Sequence, residues 1–186
     1  PVAEFRSQLA AVAGSSAPGA LRLLLTAESA GALVAAEMLH AGLPWRADVH
    51  ERLLEDALGP RVPYGVRPRR LEEIAAVVRE RLDDPGLNPD SPADVLKSLR
   101  RAGLMVTSTR KWELQEIEHP VIEPLLEYKR LARLLTANGW TWLDDWIRDG
   151  RFHPKYVVGG VVTGRWAADG GGAMQLPKGI RGAVIA

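Results

Sequence analysis

The sequence predicts a mainly α-helical fold with a small β portion, an α+β arrangement in which a helical body precedes a short strand-bearing tail. Three observations predict it. Between residues 26 and 150, apolar residues recur at spacings of three and four between helix-capping signals, which is the period of an amphipathic helix. From residue 151 that period gives way to short β-branched runs separated by glycine, and residues 151–186 hold eight of the eighteen glycines. Charge breaks at the same place: the tail carries five basic residues against one acid, while the chain of 186 residues balances 24 basic against 23 acidic. With a net charge of +1, bulk charge alone argues for no partner.

The elements follow in order. Residues 1–20 read as a helical piece and a Gly-Ser-Ser-Ala-Pro-Gly linker. From Thr26 a helix is expected, with Ala30, Leu33, Val34, Met38 and Ala41 on one stripe and Gly42 as its stop. Leu43-Pro44-Trp45 is a short extended link. Asp48, with Glu51 three residues on, forms a capping pair for a helix through Leu53, Leu54, Ala57 and Leu58, ended by Gly59. The stretch from Pro60 to Arg70, with three prolines and four arginines, is a loop. Leu71, Ile74, Ala75, Val78 and Leu82 mark a clean helix that ends in Asp83-Asp84-Pro85-Gly86. Ser91-Pro92-Ala93-Asp94 supplies a cap serine, a proline at the first helical position and a first-turn acid, and the helix buries Val95, Leu96 and Leu99 before Gly103. A short helix runs from Ser108-Thr109 through Trp112. A long one runs from His119-Pro120 to Asn138-Gly139, and another from Trp140 to Ile147. Strands are expected at 156–158, 161–162 and 183–185. The organisation is thus a linker or the end of an upstream domain over 1–25, a helical body over 26–150 and a Gly-rich basic segment over 151–186.

Several functions are excluded. Without cysteine there is no disulfide framework, no thiol nucleophile and no Cys-ligated zinc, and the lack of cysteine fits a cytoplasmic chain. The apolar stretch 21–39 is interrupted by Arg22, Glu28 and Glu37, so no membrane partner is expected. His40, His50, His119 and His153 are scattered and read as surface or cap residues. Asp144 and Asp145 are adjacent on a helix and so point about 100° apart, which does not converge on one ion. Gly159 and Gly164 have the spacing of half a phosphate loop, but Arg165-Trp166 stands where Lys-Ser/Thr is needed. No nucleophile, base and orienting acid assemble into an active site. The chain begins on proline and closes on an apolar run, Ala183-Val184-Ile185-Ala186, so it is expected to be a piece of something longer.

The tail has the donors for a polyanion. Arg151, Lys155, Arg165, Lys178 and Arg181 stand against Asp169 alone, and glycines 159, 160, 164, 170, 171 and 172 would let a bulky partner approach the main chain. A loose glycine loop with solvated arginines fits the composition equally well.

The order of residues adds a resemblance. Thr163-Gly164-Arg165, then Gln175-Leu176-Pro177, then Ile180-Arg181 resembles the palm-entry segment of family-A DNA polymerases, T-G-R-L-S-S, N-L-Q-N-I-P and I-R-x-A-F. Leu87-Asn88-Pro89-Asp90-Ser91-Pro92 resembles that family's thumb signature L-N-x-x-S-P. Ser108-Thr109, His119-Pro120 and the run from Leu126 to Leu131 resemble its S-T, H-P and L-E-Y-R-x-L series, in the same order. The segment 38–43 is similar to the E-x-x-G-[IV] stretch that opens the thumb. The departures are specific: Trp166-Ala167-Ala168 replaces L-S-S, Ala173 stands where a minor-groove asparagine would be, and one residue is missing between Gln175 and Pro177. The chain also stops before the family's first metal-binding aspartate.

The resemblance implies a helical thumb followed by the opening strands of a palm, in a divergent branch often fused to a 3′-5′ exonuclease-like domain. It implies primer–template DNA as partner, with Arg165 reaching the primer-terminal base and Gln175 a neighbouring pair in the minor groove. There, adenine or guanine N3 and pyrimidine O2 offer acceptors common to every correct pair. Asn88, Ser91, Ser108, Thr109, Lys129 and Arg133 would hold phosphates from the thumb, and Arg181 would be a further DNA-binding residue. Each has a plainer alternative: Ser91 as a helix cap, Asn88 as a turn closer, Lys129 and Arg133 as a solvated face. The complete enzyme would use deoxynucleotide triphosphates and two magnesium ions, with none bound to this piece and no polymerisation by it alone. The alternatives are a non-catalytic nucleic-acid-binding module or a degraded polymerase remnant. The tryptophans, Trp140, Trp142 and Trp146 above all, are expected to pack against the thumb.

Overall fold

The computed structural model describes residues 2–185, and the architecture is mainly helical with a few short antiparallel strands. Helix α1 (Val2–Ala13) and the long α2 (Pro18–Ala41) lie at the N-terminal end. Proline at the first position of α2 lacks only an N–H that no helix bond would use. The helix therefore starts eight residues before the expected Thr26. Of these two helices only Val12 and Ala35 are buried, and the expected stripe of Leu33, Val34 and Met38 is exposed. By length and composition α2 is also apolar enough to cross a membrane, despite the three charges that were expected to interrupt it.

The helical body is built from α3 (Ala47–Leu58), α4 (Arg69–Arg81), α5 (Pro92–Arg101), the single turn α6 (Lys111–Leu114) and α7 (Ile122–Asn138). Leu71, Ile74, Ala75 and Val78 turn one face of α4 into the core, as their spacing predicts. Leu54, Leu58, Leu99, Leu114 and Leu125 have no exposed surface, and each such burial contributes about 1.5–3 kcal/mol. The Ser91 hydroxyl accepts from the Asp94 N–H (3.2 Å), so the predicted cap of α5 is made. At the other end Gly103, with φ of 82°, closes a Schellman turn: its N–H reaches the Arg100 carbonyl and that of Leu104 reaches Leu99. The expected cap of α3 is not made. The helix starts at Ala47 with Arg46 before it, so Asp48 already lies in the first turn, where its carboxylate pairs with the Arg46 guanidinium (2.6 Å).

After α7 the chain turns through Gly139 into α8 (Trp140–Trp146), then β2 (Ile147–Arg148) and β3 (Arg151–Phe152). Asp149 and Gly150 both have positive φ, 49° and 70°, the conformation of a two-residue hairpin turn matched to strand twist. Strand β3 is central: β2 pairs on one side and β1 (Leu43–Pro44) on the other, both antiparallel. The compositional break near Gly150 therefore falls in a hairpin turn, and both sides of it contribute to one core. That core contains Trp45, Trp142, Leu143, Phe152, Ile180 and Ala183. The end of the chain folds back on β1, with the Arg46 N–H on the Ala183 carbonyl (2.7 Å) and a single bridge between Trp45 and Val184. Trp140 packs in the helical body as expected, but Trp142 and Trp146 pack against the tail.

Beyond β3, β4 (Tyr156–Val157) and β5 (Ala167–Ala168) form a separate two-stranded pair. The expected strand at Val161–Val162 is absent; those side chains lie exposed in the connection between β4 and β5, with no strand beside them to bond. Ala183 ends a 3-10 turn, Lys178–Ala183, in place of the expected strand.

Candidate nucleic-acid interface

Between α4, α7 and the segment that carries α6 runs an open groove of about 1530 Å³. Lys129 and Arg133 sit one turn apart on α7, so both face the same way. The Lys129 ammonium donates to the Thr109 carbonyl, which ties the 109–112 segment across to α7. Partial burial lowers the pKa of this lysine from its ordinary value. Thr109, Lys129 and Arg133, three of the residues singled out in the sequence, thus line one groove.

Charge in the groove is lopsided. Glu73 is engaged by Arg69 and Arg70, and Glu127 holds Arg130 at 2.7 Å. That leaves Arg81, Arg110, Lys111, Lys129 and Arg133 without a carboxylate partner among the described residues, against two unpaired acids, Glu118 and Glu123. A cation with no carboxylate partner is not neutralised by the chain and remains available to an external anion.

The segment entering α6 is held by one side chain. The Glu113 carboxylate accepts from the Thr107 N–H (2.5 Å) and hydroxyl (2.8 Å), and from the Ser108 N–H (3.0 Å) and hydroxyl (2.5 Å). These bonds, the Ser108 hydroxyl foremost, hold its pKa down at about 2. Ser108 is therefore not a free phosphate donor as expected, because its hydroxyl proton already meets a carboxylate. Asn88 and Ser91 do not line the groove either. The Asn88 side-chain oxygen accepts from the Asp90 N–H (3.1 Å), closing a turn, and Ser91 caps α5. Asp90 in turn accepts from the Tyr128 hydroxyl (2.6 Å) and from Arg67 (2.8 Å). Burial, then that bond to Asp90, raises the tyrosine pKa, so the phenol stays a donor.

In the tail, Arg165 is exposed and makes one contact, from Nε to the Thr163 hydroxyl (3.1 Å). No carboxylate among the described residues pairs with it. Gln175 is exposed at the end of a short 3-10 turn (Ala173–Gln175), and Arg181 reaches back to the Leu176 carbonyl (3.3 Å) beside it. None of these three lines the groove. The glycines are not the open shelf the sequence suggested. A Cβ on Gly171 would come within 2.8 Å of Phe152, one on Gly170 would strike Trp146, and one on Gly160 would meet Ala167 at 2.8 Å. They are small so that the chain's own side chains can pack. Only Gly164 and Gly172 among the six face open space.

Sequence reasoning missed Arg81, Arg110, Lys111 and Trp112 as groove residues. Arg110-Lys111-Trp112 directly follows Ser108-Thr109, and two cations beside an aromatic were a readable signal. His50, expected at the surface, is fully buried. No three His, Asp or Glu side chains stand close enough to hold a metal ion among the described residues. The carboxylates present do not fit a two-magnesium site. No protein-family model matches the chain, and no curated protein matches it either.

Proposed function

We propose that this chain is the DNA-gripping part of a cytoplasmic DNA-directed DNA polymerase of the family-A type, and that it holds primer–template duplex by its phosphates. The observation that carries the reading is the groove, where Thr109, Lys129 and Arg133 meet under a surplus of unpaired cations. Phosphate contacts fix the duplex in register without reading its sequence, which is what an enzyme that must copy any template needs. Arg165 and Gln175 add minor-groove donors: a mispair displaces the acceptors and breaks the bond. The chemistry, transfer of a nucleotidyl group from a deoxynucleotide triphosphate by two magnesium ions, would rest on carboxylates outside these 186 residues. Alone, the chain binds DNA and does not extend a primer.

The test is a titration of labelled primer–template duplexes of unrelated sequence by fluorescence anisotropy. The chain should bind them with similar affinity, and Arg133→Ala should weaken all of them to the same degree. Sequence-selective loss, or no binding at low salt, would refute the grip.

A further inference from the structure

Trp112 is the exposed tryptophan of the chain. Trp45, Trp140 and Trp142 are buried and Trp146 and Trp166 half-buried, whereas Trp112 is 63% exposed. Its exposure is imposed by its neighbours. Glu113 is fastened by four hydrogen bonds to Thr107 and Ser108, and Leu114 is fully buried in the helical core. Successive helical residues point about 100° apart, so anchoring the next two positions turns the indole outward. It lies along the groove together with Arg110, Lys111, Lys129 and Arg133.

An outward π face beside cations that lack carboxylate partners is the combination that holds single-stranded nucleic acid. The cations track the backbone and the ring stacks on a base, which a duplex interior cannot offer because its bases are already stacked. Building on the duplex-binding reading above, we propose that Trp112 is a stacking platform for an unpaired base, so that the groove takes a single-stranded segment adjoining the duplex. The unpaired acids Glu118 and Glu123 limit the net attraction but leave the cations in excess.

The experiment compares a blunt duplex with an overhang duplex of equal phosphate count, titrated against the whole chain and its Trp112→Ala, Trp112→Leu and Trp112→Phe variants. Trp112→Ala should weaken overhang binding by about 5- to 150-fold, the effect of one lost base–aromatic stack, and weaken blunt-duplex binding by much less. Trp112→Leu, which keeps apolar bulk without a π face, should lose as much; Trp112→Phe should keep most of the affinity. Equal loss on both DNAs, retention by Trp112→Leu, or no loss at all overturns the stacking role. If blunt duplex still binds in that case, only this inference fails; if the unaltered chain binds neither DNA, the grip fails with it.

Discussion

Lowering the pH should loosen the second core through one residue, His50. Its side chain is fully buried, with ring centroids 5.6 Å from Trp45 and 5.4 Å from Trp142. Nε2 lies 2.9 Å from the Asn138 carbonyl, so the neutral ring donates there, and Nδ1 has no partner among the described residues. Burial among the indoles pushes its pKa below the ordinary 6.5. The sign follows directly. Between the folded and unfolded pKa values the unfolded chain binds a proton that the folded one does not, so stability is complete above pH 6.5 and falls as the pH drops. The slope within that window is at most about 1.4 kcal/mol per pH unit. Urea unfolding between pH 7.5 and 5 measures it, with His50→Phe as control. That variant loses one hydrogen bond, about 1 kcal/mol, but cannot titrate. Its disadvantage against the wild type should therefore shrink below pH 6.5. Parallel curves for the two proteins would refute the reasoning.

Three further outcomes follow from single contacts. Ser91→Ala should cost about 1 kcal/mol in thermal unfolding, the worth of a helix cap, and leave DNA affinity unchanged. Gly171→Ala should destabilise more than Gly164→Ala: both have positive φ, 66° and 75°, but only the first would also drive a Cβ into Phe152. The comparison is read as the difference in melting temperature. Arg165→Ala should melt like the wild type, since it loses only the contact to Thr163. It should nonetheless weaken duplex binding by about 10- to 150-fold, the loss of one charge-assisted bond of about 1.5–3 kcal/mol.

Where apolar spacing and end signals agreed, the sequence could be read closely. Helix α4 buries the residues its period names, and Ser91-Pro92 starts α5 where expected. Helix α2 misled for a physical reason: Leu21, Leu23, Leu24 and Leu25 are apolar on all sides, so periodicity carries no information about where the helix begins or which face is covered. The turn at Asp149-Gly150 is a strong hairpin signal that short flanking strands obscured. Val161-Val162 has strand propensity but no neighbour to pair with, and propensity without a partner does not make a sheet. At the candidate site, Lys129 and Arg133 were visible as an i, i+4 pair. Arg81 was not, because only the packing of α4 on α7 brings it to the same groove. Ser108 looked free because the acid that captures it, Glu113, comes five residues later across a turn.

The salt dependence of duplex binding tests the phosphate grip most directly. With three to five of the unpaired groove cations on phosphates, log Kobs should fall against log salt with a slope between about −2.7 and −4.5. Replacing Arg81 and Arg133 together by alanine should flatten that slope by about 1.8. A slope near zero, or one that the double substitution leaves unchanged, would contradict the account.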